Sequence, residues 1–192
     1  HNHFFVVALK QSLSQGNTSY PYVVLQTKDD NEDKIELNIP EKLAGTIKIS
    51  NELEGEVKDI LATLFTHIVG IGVIVTSKTF LYSKGPFIKC SLKQNEGTLY
   101  PLEKCLLFLH KPVVYITHEE IVQIDCERIE GKSFDLLIET KRGDAFMFKG
   151  VDRIELDQMV KYFESKKIKL NGLDDEQKEA IVSKNKRRRE HV

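Results

Sequence analysis

The sequence predicts a mainly β, α+β fold in which two series of strands are each closed by an amphipathic helix. Three observations carry that prediction. Short apolar runs of strand length recur through most of the chain, and some alternate with polar residues at period two, as in Ile35, Leu37 and Ile39 set against Glu36 and Asn38. The period lengthens to three and four residues in only two places, around 57–68 and 153–167. Between them lies Gly97 to Tyr115, GTLYPLEKCLLFLHKPVVY, whose short apolar runs are broken by Pro101 and Lys111-Pro112; that pattern favours two neighbouring buried strands over one helix.

Taken in order, Phe4 to Leu9 and Tyr20 to Thr27 read as a hairpin across a polar loop that holds Gly16 and Asn17. Asp29 to Asp33 is an acidic turn. The alternation at Ile35 to Ile39 predicts a strand, and Thr46 to Ser50 repeats it. Val57, Ile60, Leu61, Leu64, Phe65 and Ile68 then mark the inner side of a helix ended by Gly70 and Gly72. Val73 to Tyr82 is too apolar for a free linker and is expected to pack between two units.

From Phe87 the strands come closely spaced: 87–93, 98–103, 105–109, 113–116, 121–127, 133–140 and 144–149, with Gly97, Gly131 and Gly143 in turns. A helix from about Arg153 to Lys167, with Leu156, Met159, Val160 and Phe163 inward, closes the series. The order strand, glycine-containing loop, strand and later helix occurs in 4–69 and again in 133–167. The expected organisation is therefore the second half of a first unit over 1–72, a packed connector over 73–86, a complete second unit over 87–170 and a charged helical tail over 171–192. Because the first residue is not Met, the numbering is expected to start inside a longer protein.

Composition excludes more than it assigns. With 28 basic and 29 acidic residues the net charge is −1, so the totals do not announce a nucleic-acid binder and charge has to be read locally. Cys90, Cys105 and Cys126 are odd in number and widely spaced, which points to buried free thiols and not to a disulfide framework or zinc site. No apolar run approaches the roughly 18–20 residues of a membrane span, so no membrane partner is expected. His1-Asn2-His3 has no further ligand cluster near it in sequence, and neither a metal nor any other cofactor is expected. His110 and His118 lie near carboxylates but beside no nucleophile motif or phosphate loop; they read as surface or turn histidines, and no enzymatic activity is expected.

Five stretches, FFVVAL, TSYPYVVLQ, GTLYPLEKCLLFLHKPVVYI, SFDLLIETKRGDAFMF and YFESKKIKL, occur in an order that resembles the middle region of the small, structure-specific-recognition subunit of the FACT histone chaperone. The resemblance covers most of 4–170. It implies tandem pleckstrin-homology-like barrels, each closed by a C-terminal helix, with the first lacking its early strands here. It also implies a nuclear, chromatin-bound protein that holds core histones, notably the pairs of the central tetramer, during transcription and replication. Its other partner would be the large FACT subunit, contacted through regions outside this chain. The tail after Asn171 departs from the acidic stretch that often follows in the family. A half barrel exposes strand edges, so the first unit is expected to be completed by residues outside this numbering or to self-associate through its open edge.

Within that frame the carboxylates Glu119, Glu120, Asp125 and Glu127 are the candidate histone-binding residues, because they fall between adjacent elements of the complete unit and a basic partner needs facing carboxylates. Other acidic clusters are Asp29 to Asp33, Glu52, Glu54 and Glu56, and Glu130. In the tail, Lys184, Lys186, Arg187, Arg188 and Arg189 form a candidate nuclear-import patch or a non-specific DNA-contacting arm. The alternative reading is a phosphoinositide- or peptide-binding adaptor. It is weakened by the loop Gln94 to Gly97, where Lys93 is the one nearby cation and Glu96 opposes it.

Overall fold

The computed structural model describes residues 2–28, 32–44, 49–70, 72–75, 85–109 and 111–174. The chain divides into two units, 1–73 and 74–192. In the first, β1 (Asn2–Gln15) and β2 (Thr18–Lys28) form an antiparallel hairpin about the Gly16-Asn17 turn, where Gly16 has φ 59°. Both strands run well into the stretch expected as a loop. The polar residues there still form a ladder after an irregularity between Ala8 and Leu13, which sets Leu13 opposite Tyr20.

β3 (Glu32–Glu36) ends before Leu37 and Ile39, which were expected to continue it. Its antiparallel partner is β4 (Glu52–Glu56), a run that reads in sequence as an acidic cluster. The expected strand at Thr46 to Ser50 lies mainly outside the described residues. α1 is a single turn, Glu41–Ala44, and α2 spans Val57–Val69 as the periodicity predicts. Gly70, at φ 70° and ψ 16°, closes α2 by donating its N–H to the Thr66 carbonyl, a left-handed cap open to glycine at little cost. Ile60 is buried, but Ile68 is 64% exposed and does not join the inner side of the helix.

Among the described residues the second unit holds one eight-stranded sheet, ordered β12-β9-β10-β11-β5-β6-β7-β8. Its strands are β5 (Ile88–Leu92), β6 (Asn95–Pro101), β7 (Cys105–Leu109), β8 (Val114–Thr117), β9 (Ile121–Glu127), β10 (Ser133–Thr140), β11 (Ala145–Asp152) and β12 (Leu170–Asn171). α3 (Leu156–Ser165) follows β11. Residues from β5 to β11 share one core with α3, so the sheet must curl around a single centre. In that core Phe108, Phe134, Phe148, Ile124, Leu136 and Ile138 are 0% exposed. α3 adds Leu156, Met159, Val160 and Phe163, as its spacing predicts, and also Tyr162.

The stretch 97–115 supplies parts of three strands, β6, β7 and β8, close to the expected 98–103, 105–109 and 113–116. β7 is buried at every residue. Leu106 and Phe108 enter the common core, while Cys105, Leu107 and Leu109 alternate with them and are buried too. Burial on both faces produces the unbroken apolar run CLLFL. Gly97 is not in a turn. It sits inside β6 opposite Cys90, where a Cβ would lie 2.2 Å from the Leu109 carbonyl oxygen and 2.4 Å from Phe108 Cζ. The turn is made instead by Lys93 and Gln94, with Lys93 at φ 58°.

After α3 the chain returns as a strap along β9. Ile124 N–H donates to the Lys169 carbonyl at 3.0 Å, and β12 pairs in parallel with Ile124 and Asp125. Leu173, 7% exposed, anchors the strap in the core. Gly172, at φ 81°, lets the backbone pass so close that a Cβ would meet the Cys126 carbonyl oxygen at 2.1 Å. In the connector, Val73 and Val75 are 42% and 59% exposed, and the Val75 carbonyl accepts the Glu103 N–H at 3.1 Å. Residues 76–84 lie outside the described part.

Candidate functional site

Pleating sorts the candidate carboxylates. Along β9, Ile124 and Cys126 are buried while Gln123, Asp125 and Glu127 alternate onto the outer face. The register then sets Asp125 opposite Leu137, Glu127 opposite Asp135 and Gln123 opposite Glu139 on β10. Two side-chain amides tie this face together. Gln123 Nε2 donates to Asp125 Oδ2 and to Glu139 Oε2, each at 3.2 Å. Asn171 Nδ2, on the strap, donates to Asp125 Oδ1 at 2.8 Å and to Gln123 Oε1 at 3.4 Å.

Asp125 and Glu139 are thus aimed by neutral donors. Among the described residues neither belongs to an ion pair. Glu139 and Asn171 were missed in the sequence. The alternation within Ser133 to Thr140 places Glu139 on the outer side, but nothing in one chain segment reveals the register that brings it to Gln123.

The other two candidates separate. Glu119 is exposed on a 3-10 turn, His118–Glu120, between β8 and β9. Glu120 serves the fold: its Oε2 accepts the Thr117 N–H at 3.0 Å and the Thr117 hydroxyl at 2.7 Å, closing a capping box, and its Oε1 pairs with Arg142. The Thr117 hydroxyl and N–H bonds, helped by the Arg142 charge, hold the Glu120 carboxyl below its ordinary range despite some burial. Glu127 is exposed at the end of β9. The tail residues Lys184, Lys186, Arg187, Arg188 and Arg189 lie outside the described residues, as do His1 and His110.

His118 lies on the same turn as Glu119, as a turn histidine, and is half-buried. Its Nε2 lies 2.7 Å from the Tyr162 hydroxyl, which donates to the Leu102 carbonyl at 2.6 Å. Because the hydroxyl proton is committed to Leu102, the ring donates from Nε2. Burial pulls its pKa down to about 4; the Lys166 charge adds to that and Glu103 opposes it. Burial likewise raises the Tyr162 hydroxyl far above its ordinary range, with the charge of Cys105 once it ionises, and that of Glu103, adding to it. This bond chain fastens α3 to the β6–β7 corner, and Lys166, paired with Glu103, lies 5.9 Å over the Tyr162 ring.

A second structural carboxylate is Asp135, 4% exposed, whose Oδ1 accepts Arg128 Nη2 at 2.7 Å and the Gly150 N–H at 2.9 Å. Gly150, at φ 73°, sits where the β10–β11 register slips. The three cysteines are free and buried. Burial raises Cys90 and Cys126 to about 12 and Cys105 to about 11, so none is a thiolate near neutral pH. Among the described residues no group of His, Cys, Asp and Glu could hold a metal ion, and no helix is long and apolar enough to cross a membrane.

The first unit carries its own acidic face. On one side of the β3–β4 ladder Glu32 stands opposite Glu56, Glu36 opposite Glu52, and Lys34 opposite Glu54. Lys34 is drawn diagonally to Glu52 at 2.9 Å, and Glu56 pairs with Lys58. Like charges directly across a ladder oppose pairing, so this face is held together by its surroundings and its two cations.

Both units match known families. Residues 1–73 match the family described as SSRP1 PH domain, and residues 86–172 match the one described as histone chaperone Rttp106-like, middle domain. The molecule is thus of the class that joins a PH-type domain to a histone-chaperone middle domain. Curated relatives agree along nearly the whole chain. FACT complex subunit pob3 of Emericella nidulans is 32% identical over 188 residues, 93% of this chain and 33% of the relative. FACT complex subunit ssrp1-B of Caenorhabditis elegans is 33% identical over 176 residues, 88% of this chain and 25% of the relative. The Schizosaccharomyces pombe pob3 subunit is 30% identical over 190 residues, 93% and 37%. The chain belongs to the family of the small FACT subunit and spans between a quarter and somewhat over a third of the length of these relatives.

Proposed function

We propose that this chain is a non-enzymatic histone-binding module of a chromatin-bound FACT-type chaperone in the nucleus, and that it engages the central-tetramer histone pairs as nucleosomes are opened and rebuilt. The observation that carries this reading is the outer face of β9 and β10: Asp125 and Glu139 are aimed outward by Gln123 and Asn171 with no cation of the described chain set against them, and Glu127 continues the same face. Glu119 lies nearby in sequence on an exposed turn. A basic protein surface meeting such carboxylates gains charge-assisted hydrogen bonds and steered encounter, both weakened by salt. In this role the unit shields histone surfaces that otherwise contact DNA. The complete second unit is proposed to run over 87–170, with the large FACT subunit contacted outside this chain.

The adaptor alternative gains nothing from the geometry. The β5–β6 connection is the two-residue turn Lys93-Gln94, which offers one cation where a polyphosphate needs several convergent donors. The test is a titration of the chain with core-histone pairs at moderate and high salt, beside vesicles carrying phosphoinositides. Saturable histone binding that weakens with salt supports the reading. Vesicle binding without histone binding overturns it.

A further inference from the structure

We infer that Gln123 and Asn171 are positioning residues for the proposed histone surface: they lock Asp125 and Glu139 as an oriented, un-neutralised carboxylate pair, and the strap after α3 thereby sets how tightly that surface holds a basic partner. The inference rests on the histone-binding reading. It stands on the direction of the hydrogen bonds. Both protons of the Gln123 amide are used, one on Asp125 Oδ2 and one on Glu139 Oε2, each at 3.2 Å. The Gln123 carbonyl oxygen in turn accepts from Asn171 Nδ2 at 3.4 Å, and the same nitrogen donates to Asp125 Oδ1 at 2.8 Å. Both oxygens of Asp125 are therefore fixed, and Glu139 is drawn toward it, although two carboxylates would otherwise swing apart.

A cationic donor in place of an amide would have fixed the same pair while cancelling its charge, as Arg128 does for Asp135. Here the donors are neutral and the negative charge stays available. Asn171 itself is placed by features remote from any ligand: the parallel pairing of β12 with Ile124 and Asp125, the close passage of Gly172 over Cys126, and Leu173 in the core. An oriented pair presents its lone pairs to an incoming guanidinium or ammonium without first having to order two side chains.

The inference separates from a plain charge effect. If the face acts only through its net charge, Gln123→Glu adds an acid and tightens binding to histones. If orientation matters, the same substitution removes the bridging donor, sets three carboxylates against one another and weakens binding. The experiment measures affinity of the whole chain for core-histone pairs, for wild type, Gln123→Glu, Gln123→Leu, Asn171→Ala and the double reversal Asp125→Lys/Glu139→Lys, with thermal unfolding as the check on folding. Expected are roughly three- to tenfold losses for Gln123→Glu, Gln123→Leu and Asn171→Ala, and a larger loss for the reversal, with unfolding midpoints near wild type. Should Asn171→Ala unfold, the two Gln123 variants decide.

Wild-type affinity of Gln123→Leu, or tighter binding by Gln123→Glu, beside a weakened reversal variant overturns the positioning role and leaves the histone surface standing. An unaffected reversal variant overturns the surface and the positioning role together.

Discussion

Replacing Gly97 by alanine adds one methyl group at a crowded point of the second unit. The new Cβ would stand 2.2 Å from the Leu109 carbonyl oxygen and 2.4 and 2.8 Å from two atoms of the Phe108 ring, where ordinary contact begins near 3.4 Å. More than an ångström must be found. Leu109 belongs to β7, whose ladder to β6 fixes its carbonyl, and Phe108 is wholly buried with its ring centroid 5.5 Å from that of Phe148. Neither can yield alone. Overpacking of a filled core costs about 1–3 kcal/mol, and because backbone is one of the obstacles here the cost should fall near the upper end, about 3 kcal/mol.

In a unit of this size such a loss lowers the melting temperature by roughly 12–24 °C. Urea unfolding followed by far-ultraviolet circular dichroism reads it. Gly143→Ala is the control: nothing lies within 4 Å of a Cβ there, and only the strain of φ 87° remains, so about 1 kcal/mol is expected. A Gly97→Ala protein within about 0.5 kcal/mol of wild type would refute the packing role assigned to this glycine.

Asp135→Asn should cost about 2–3 kcal/mol, since it weakens a buried acceptor shared by Arg128 and the Gly150 N–H. Although burial raises the Asp135 carboxyl, the Arg128 and Gly150 bonds and nearby positive charge leave it below its ordinary range. Its stabilisation is therefore complete above about pH 4 and lost as pH falls through the lower folded value; an acid unfolding curve that is unchanged in Asp135→Asn would contradict this. His118 acts at milder pH. With its folded pKa near 4 against about 6.5 unfolded, the unfolded chain binds the extra proton between those values. Stability is full above pH 6.5 and declines toward pH 4, by roughly 1–2 kcal/mol once partial solvent access is discounted. Nuclear magnetic resonance titration of the ring checks it, and a midpoint near 6.5 would contradict the effect assigned to burial of the ring. In the first unit, Glu36→Lys replaces a like-charge pair with Glu52 by an opposite one. It should stabilise that unit by about 0.5 kcal/mol at low salt and by nothing at 1 M, as salt-dependent unfolding would show.

What could be read from the sequence follows from range. The helix over Val57 to Val69, the strands from Ile88 to Asp152 and the inner side of α3 are written in local periodicity, because each element buries one face. CLLFL shows no alternation because β7 is buried on both faces. Gly97 misled because glycine in a strand and glycine in a turn look alike until the facing Phe108 is placed. His118 and Tyr162 are 44 residues apart, and Asn171 and Gln123 are 48 apart, so no local pattern joins them. Glu52 to Glu56 hid as a charge cluster because the side of its strand where alternation should show apolar residues carries only Leu53 and Gly55.

The candidate site was legible only in part. Asp125 and Glu127 lie together on the outer face of β9, while Glu120 is taken up by the Thr117 cap and Arg142. Distinguishing a free carboxylate from one already engaged requires its partners.

The most direct test of the account is the affinity of the whole chain for core-histone pairs across a salt series, wild type beside Asp125→Lys/Glu139→Lys. The account predicts saturable binding that falls as salt rises, and at least a tenfold loss at moderate salt in the folded reversal variant. Equal affinity of the two proteins, or binding indifferent to salt, would contradict it.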